Sequence, residues 1–186
     1  FKSGGDKVCI NSAAVNNPNF LFKASRIFGS ANITIVIEYV KIKNKYFITT
    51  SHGRDLVKMD PITWAKKAEQ SGAGEIFLTS INHEGLKNGF DIKIIKKISS
   101  SVSIPVIAHG GAGNLEHILD VVKNTEISGV AISSMLHYDI AGTFNNKNFK
   151  TGNLNYLQNI KKKQKSKNIL KLIKIYLKKK GFNVRH

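Results

Sequence analysis

Short apolar runs alternate with helical patterns along the chain, and this alternation constrains the fold more strongly than any other feature of the sequence. Runs rich in β-branched residues predict strands at residues 7–10, 33–40, 75–79, 105–108 and 129–132. Helical patterns predict helices at residues 18–28, 61–71, 91–100, 114–124 and 169–180. Continuous apolar strands separated by helices are typical of a parallel sheet that helices cover on both faces. The sequence therefore predicts an α/β fold, either a doubly wound open sheet or a (β/α)8 barrel.

Two polar stretches interrupt this pattern. Residues 41–60 are predicted to form a loop with a small hairpin. Residues 141–167 form a Lys/Asn-rich insertion before the last helix and include Lys161-Lys162-Lys163. Such a run of lysines is either a solvated surface or a docking site for an acidic partner or for anions.

The basic residues are concentrated near the end of the chain. The formal net charge of the 186 residues is +17, yet residues 147–186 contain 13 Lys and Arg and no Asp or Glu. Only Arg26, Arg54 and Arg185 are arginines. Proteins that read nucleic acid sequences favour Arg for bidentate contacts. We therefore do not expect nucleic acid to be the main partner.

Composition excludes several other classes of protein. No apolar run approaches the roughly 18 residues of a membrane-spanning helix, and no secretory signal precedes the first strand. We expect a cytoplasmic protein. The single cysteine, Cys9, lies in an apolar run and is predicted to be a buried, inert thiol. No set of His, Cys or carboxylates has metal-ligand spacing, so we expect no metal. We expect no other cofactor either.

Candidate anion sites follow three of the predicted strands, where ligands bind in parallel α/β folds. Gly110-Gly111-Ala112-Gly113 leads directly into a helix. Glycines let backbone N–H groups approach a phosphate, and the helix N-terminus adds a favourable dipole. Ser134 follows the next strand and would lie beside this loop. Asn11 and Ser12, which follow the first strand, form a second candidate site.

Candidate acid–base residues also follow the predicted strands. Glu38 ends an otherwise apolar strand, so it is either a general acid or base in a cleft or a structural partner of a buried Lys. His83 and Glu84 share one loop, and His109 precedes the glycine loop. A histidine that titrates near neutrality can transfer protons, although an exposed loop histidine without a catalytic role is the commoner case.

Four long motifs in this chain resemble the cyclase subunit of imidazole glycerol phosphate synthase, a (β/α)8-barrel enzyme family of histidine biosynthesis. The motifs cover residues 4–15, 72–81, 103–113 and 177–184, and the resemblance extends over almost the whole chain except 141–167. It aligns the first strand here with strand four of the family's barrel. The resemblance therefore implies one domain over residues 1–186, a partial (β/α)8 barrel that corresponds to strands 4–8. We expect the chain to be the later part of a longer polypeptide.

The resemblance also implies an activity, a lyase/cyclase reaction linked to a glutamine amidotransferase. Ammonia from a glutaminase partner is joined to an aminated ribulosyl phosphate, which is then cyclised and cleaved. The products are imidazole glycerol phosphate and a carboxamide ribonucleotide. A catalytic aspartate of the family falls on Glu38 in this sequence. Asp6 matches a position at the glutaminase interface, and Lys7 and Glu75 match a charged ring where ammonia enters the barrel.

The phosphate-binding positions of the family can be carried over residue by residue. One phosphate would be held by Asn11 and Ser12. The other would be held by Gly110, Gly111, Ala112 and Ser134, and Gly85 is a further phosphate-binding position.

The sequence also departs from the family's pattern. Glu38 replaces an aspartate, and Asn82 and Glu84 stand in a loop that is rich in aspartate in the family. Two alternatives therefore remain open. One is a paralogue that delivers ammonia for amidation of an acetamido sugar in surface-polysaccharide biosynthesis, with a nucleotide-sugar substrate. The other is an inactive remnant that only binds a partner.

Overall fold

A computed structural model describes residues 1–141 and 168–185 of the chain. The strands of this part are β1 (Val8–Ile10), β2 (Ile33–Ile42), β3 (Lys45–Thr50), β4 (Asp55–Val57), β5 (Glu75–Ser80), β6 (Val106–His109) and β7 (Gly129–Ala131). The helices are α1 (Ser12–Asn16), α2 (Pro18–Phe28), α3 (Pro61–Gln70), α4 (Ile92–Ser99), α5 (Leu115–Asn124), α6 (Ser134–Ala141) and α7 (Ile169–Lys179). The insertion predicted at 141–167 lies outside the described residues, except for Ala141 at the end of α6.

Five strands form a parallel sheet in the order in which they occur in the chain. β1 pairs with β2, β2 with β5, β5 with β6 and β6 with β7, all in parallel. β3 pairs antiparallel with β2, on the same side of β2 as β1, and β4 pairs antiparallel with β3. The five strand–helix units and the hairpin predicted from the sequence are therefore confirmed.

The helices cover one face of this sheet, so the expectation of two covered faces is wrong. Consecutive parallel strands are neighbours, and right-handed crossovers between neighbours place every helix on the same side. Burial along β2 agrees with this arrangement, because Ile33, Ile35 and Ile37 are at most 1% exposed whereas Val36 and Glu38 are half-buried. Parallel strands that follow the order of the chain and carry all their helices on one face are typical of a barrel. A doubly wound sheet has helices on both faces.

The core lies between the sheet and these helices. Isoleucines of β2, Ile76 and Leu78 of β5, and Val106 and Ala108 of β6 face the helices and are at most 1% exposed. The helices contribute Trp64 on α3 and Ile94 and Ile98 on α4 to the same core. Burying each large side chain contributes about 1.5–3 kcal/mol.

Local sequence signals start the helices that pack on this core. α3 begins at Pro61, and the carboxylate of Asp60 accepts a hydrogen bond from the Thr63 amide at 2.9 Å. α5 begins after Asn114, whose side chain accepts from the His117 amide at 2.8 Å. α7 covers almost the predicted range and buries Ile173 and Leu177.

The parallel sheet stays open within the described residues. Here β1 and β7 are the outer parallel strands, and each forms a ladder along one side only. Among the described residues, no helix combines the length and the hydropathy that a membrane span requires.

Candidate functional site

The face of the sheet opposite the helices holds a cavity of about 370 Å³ at the carboxyl ends of the strands. Glu38 on β2 is paired in register with Thr79 on β5, and Thr79 is paired with His109 on β6. These three residues therefore form one row across the sheet. The cavity is lined by Cys9, Val36, Glu38, His52, Phe77, Thr79, Ile81, Glu84 and His109.

Glu38 lies at one end of this row. Its Oε2 atom accepts a hydrogen bond from the backbone amide of Gly53 at 3.2 Å. Within the described residues, Lys7 pairs with Glu75, and no lysine pairs with Glu38. Of the two interpretations open at the sequence level, a carboxylate in a cleft is therefore favoured over a structural partner of a buried lysine.

The turn between β3 and β4 contacts two of the candidate residues. Ser51, His52 and Gly53 have φ angles of 53°, 60° and 78°. Besides the bond from Gly53 to Glu38, the Ser51 amide donates to Ser12 Oγ at 3.1 Å. A non-glycine residue in the left-handed region costs roughly 1–2 kcal/mol, and such strain is concentrated at functional sites.

Sequence reasoning did not identify this turn as part of the site. The sequence feature that indicates a turn here is the Ser-His-Gly segment, which lies between two strand-like runs. The hydrogen bonds to Ser12 and Glu38 join residues that lie 39 and 15 positions apart in the sequence. Patterns of neighbouring residues therefore do not predict them.

The histidines predicted as candidates differ in position. His109 lines the cavity, with its Nδ1 atom 3.3 Å from Thr79 Oγ1 and its ring centroid 5.4 Å from that of Phe77. His83 does not line the cavity, and its Nδ1 atom is 2.8 Å from Ser80 Oγ. Glu84, its neighbour, does line the cavity.

The glycine loop after β6 packs against the loop after β5. A Cβ atom on Gly110 would lie 2.8 Å from the carbonyl oxygen of Ser80, and one on Gly111 would overlap the carbonyl group of Gly89. Both glycines have positive φ angles, and the Gly89 amide donates to the Gly111 carbonyl at 2.9 Å. Close approach of two backbones therefore requires these glycines, whether or not the loop also binds a phosphate.

The other predicted anion-binding residues lie at the same end of the strands. Asn11 precedes α1, and its carbonyl accepts from the Ala14 amide at 3.0 Å. Ser134 begins α6 after β7 and is half-buried, as is Ala112 in the glycine loop. Gly85 is exposed with open space around it. The candidates thus form two groups, after β1 and after β5–β7, on opposite sides of Glu38.

Lys7 and Glu75 are brought together at the opposite, amino-terminal end of the strands. Lys7 Nζ lies 2.9 Å from Glu75 Oε2, and Thr34 Oγ1 donates to Glu75 Oε1 at 2.8 Å. Burial alone raises the pKa of Glu75, but the hydrogen bonds from Lys7 and Thr34 and the charge of Lys7 outweigh it. The pKa of this carboxyl therefore lies below its usual value. Asp6 precedes the pair and is exposed.

Comparison with known proteins agrees with this geometry. The chain matches the family model described as "Histidine biosynthesis protein" over residues 1–141. The chain belongs to this family. Because the histidine biosynthesis family is one of (β/α)8 barrels, the five parallel strands described here are part of a barrel.

Individual relatives in this family carry one name. A protein of Bacillus cereus named imidazole glycerol phosphate synthase subunit HisF is 43% identical to this chain over 138 residues. A protein of Hydrogenobaculum sp. with the same name is 44% identical over 138 residues. Each match covers 74% of this chain and 55% of the relative. The chain thus spans about half the length of the curated relatives that it matches.

Cys9 corrects one expectation from the sequence. It was predicted to be a buried thiol, but it is exposed and lines the cavity. β1 is an edge strand of the parallel sheet, and the two-residue period of a strand turns Cys9 away from the buried Ile10. Within the described residues, no group of three His, Cys, Asp or Glu side chains is arranged to hold a metal ion.

Proposed function

We propose that the protein carrying this chain is the cyclase subunit of imidazole glycerol phosphate synthase, a lyase/cyclase of histidine biosynthesis that uses ammonia from a glutaminase partner. The observation that carries the proposal is the position of Glu38 in a cavity between two groups of candidate phosphate-binding residues. The family membership and the names of the relatives at 43% and 44% identity support it.

The spacing of the two groups suits a substrate with a phosphate at each end. Asn11 and Ser12 follow β1, whereas Gly110, Gly111 and Ala112 follow β6. β1 and β6 are three strand intervals apart in the sheet, which at about 4.8 Å each gives roughly 14 Å. A phosphorylated ribulosyl nucleotide held at both ends would extend across the row that contains Glu38.

Glu38 would act as the general base or acid of the reaction. One backbone amide, that of Gly53, donates to its carboxylate, and a carboxylate has about four acceptor positions. It can therefore be oriented by the turn and still accept a proton from the substrate. A positioned acid–base group typically contributes about 10²–10⁴-fold to the rate.

The amino-terminal end of the strands would receive ammonia. The Lys7–Glu75 ion pair lies at this end, on the sheet face that also bears the cavity. A charged pair at such an entrance can orient ammonia without holding it tightly. Asp6, exposed beside the pair, would contact the glutaminase.

The test is turnover by the whole protein that carries this chain, supplied with ammonia and the aminated ribulosyl phosphate. We expect imidazole glycerol phosphate to form, and Glu38→Gln to lower kcat by about 10²-fold or more. Glu116→Gln, an exposed glutamate on α5, is the matched control and should retain full activity.

Two outcomes would contradict the proposal. Full activity in Glu38→Gln would remove the role assigned to this residue. Failure of the folded, unaltered protein to turn over this substrate, together with failure to complement a histidine auxotroph, would favour amidation of an acetamido sugar. The departures at Glu38, Asn82 and Glu84 are the observations that keep that second candidate.

A further inference from the structure

We propose that His109 is a second acid–base group of this site, and that it donates a proton to the carbonyl oxygen of the substrate while Glu38 accepts one from the incoming ammonia. This inference rests on the proposed function. The sequence alone did not distinguish His109 from an ordinary loop histidine.

The register of the sheet brings the two groups to the same level. Glu38 is paired with Thr79, and Thr79 with His109, so all three side chains lie on the face without helices. Two strand intervals separate Glu38 from His109, or roughly 10 Å between their Cα atoms. A substrate that lies across this row has one group on each side of its reacting carbon.

The ring of His109 is held in one orientation. Its Nδ1 atom is 3.3 Å from Thr79 Oγ1, and Thr79 is 5% exposed. Its face is tilted against Phe77 at a centroid distance of 5.4 Å. Because Nδ1 is engaged, Nε2 is the nitrogen that remains to meet a ligand in the cavity. A ring fixed in this way needs little ordering when the substrate arrives.

The charged and titratable surroundings of His109 come from several elements. Glu38 of β2, Cys9 of β1, His52 of the hairpin turn and Glu84 of the loop after β5 all line the cavity. On the other side of β6, the residue paired with His109 is Ala131 of β7, which bears no charge. Glu38 and Glu84 are the two carboxylates that line the cavity together with His109.

The place of His109 in the sequence also suits this role. It is the last residue of β6 and directly precedes the Gly110-Gly111 turn. If that turn binds one phosphate of the substrate, the imidazole lies next to the sugar carbons attached to that phosphate. Proton transfer then takes place beside a fixed end of the ligand.

The proposed step balances its protons and electrons. The lone pair of ammonia forms the new C–N bond, the C=O π pair moves to oxygen, and the oxygen takes the proton of the His109 imidazolium. Glu38 takes one proton from the nitrogen, and a neutral carbinolamine results. When water leaves to give the imine, Glu38 returns its proton to the departing hydroxyl, and His109 regains one from the nitrogen. Both groups end as they began.

The test is the pH dependence of kcat with ammonia as the nitrogen source, measured on the whole protein. A general acid must carry its proton to act, so the unaltered protein should lose activity on the alkaline side, where the acid has lost that proton. His109→Gln should lower kcat by about 10²-fold or more and abolish this alkaline limb. KM should stay within about threefold, because the proton is transferred in the transition state.

A second variant keeps the test decisive if His109→Gln does not fold. Thr79→Val has the same shape and leaves the imidazole in place, but it removes the partner of Nδ1. It should displace the alkaline limb and lower kcat by about tenfold. His137→Gln, an exposed histidine on α6, is the matched control and should leave both kcat and its pH profile unchanged.

The outcomes separate this inference from the proposed function. An active unaltered protein whose alkaline limb survives in His109→Gln would overturn the role of His109 alone. Where that variant does not fold, an alkaline limb that stays at the same pH in Thr79→Val would do so. A folded, unaltered protein that forms no imidazole glycerol phosphate would overturn the proposed function and this proton transfer with it.

Discussion

The two faces of the parallel sheet are built from different kinds of residue. On the helix-covered face of β2, Ile33, Ile35 and Ile37 alternate with the residues of the other face and are at most 1% exposed. On the opposite face, Thr34 reaches Glu75, Val36 is half-buried, and Glu38 lines the cavity. The same strand therefore contributes to the core on one side and to the candidate site on the other.

This difference separates stability from chemistry along a single strand. Side chains on the covered face remove large apolar areas from water and dominate the free energy of unfolding. On the open face, Val36 and Glu38 are half-buried and line the cavity, and removal of such side chains leaves the helix-covered core packed. A substitution should thus affect either stability or activity, according to the face on which it lies.

The largest effect should come from a neighbouring pair of substitutions on β2. Ile35→Ala, on the covered face, should lower the free energy of unfolding by about 2–5 kcal/mol because it leaves a cavity in a packed core. Val36→Ala, on the open face, should lower the free energy of unfolding by about 1 kcal/mol. Urea unfolding of the whole protein measures both values. Equal losses would contradict the division between the faces.

A smaller effect tests the loops that border the open face. Gly111 has a φ angle of 113°, and an added Cβ would overlap the Gly89 carbonyl group. Gly111→Ala should therefore cost about 2–3 kcal/mol from strain and overpacking together. Gly85→Ala is the matched control, since its φ angle is 76° and nothing lies within 4 Å of the added Cβ. Thermal unfolding should show that the control loses only about 1 kcal/mol in its free energy of unfolding.

The smallest effect concerns the ion pair at the other end of the open face. The pKa of Glu75 lies below its usual value of 4.5, so the pair stabilises the fold above about pH 4.5. This contribution is lost as the pH falls through the lower pKa of the folded state. Lys7→Met should cost less than about 1 kcal/mol at pH 7.

The pH dependence distinguishes the ion pair from a general effect of charge. The difference in stability between Lys7→Met and the unaltered protein should shrink to nothing as the pH falls below the folded pKa of Glu75. Lys2→Met, at an exposed residue near the same end, should show no such dependence. A loss for Lys7→Met that is constant from pH 7 to acid would refute the assignment to Glu75.

Local patterns in the sequence predicted the elements better than the contacts between them. The apolar period of β2 and the proline-started helices α2 and α3 follow from neighbouring residues, and they were found nearly to their ends. The sequence prediction for Cys9 is wrong because an apolar strand is not uniformly buried: successive residues turn to opposite faces.

The candidate site was predictable in its positions and not in its internal bonds. Residues at strand ends could be named from the sequence because parallel strands present their carboxyl ends together. The hydrogen bonds from the hairpin turn to Ser12 and Glu38 could not, since they depend on how two distant segments meet. The glycine loop shows a similar limit: its glycines also satisfy a backbone contact with the preceding loop.

The order of the strands bears on how the chain acquires its structure during synthesis. Each parallel strand pairs with the one made just before it, so every new unit finds its partner already in place. Pairing with the preceding parallel strand closes a shorter loop than pairing with a more distant strand, so its loop-closure entropy is smaller. The growing sheet can therefore add one strand and one helix at a time as the ribosome releases them. The last parallel strand to form is the edge with which the next one pairs.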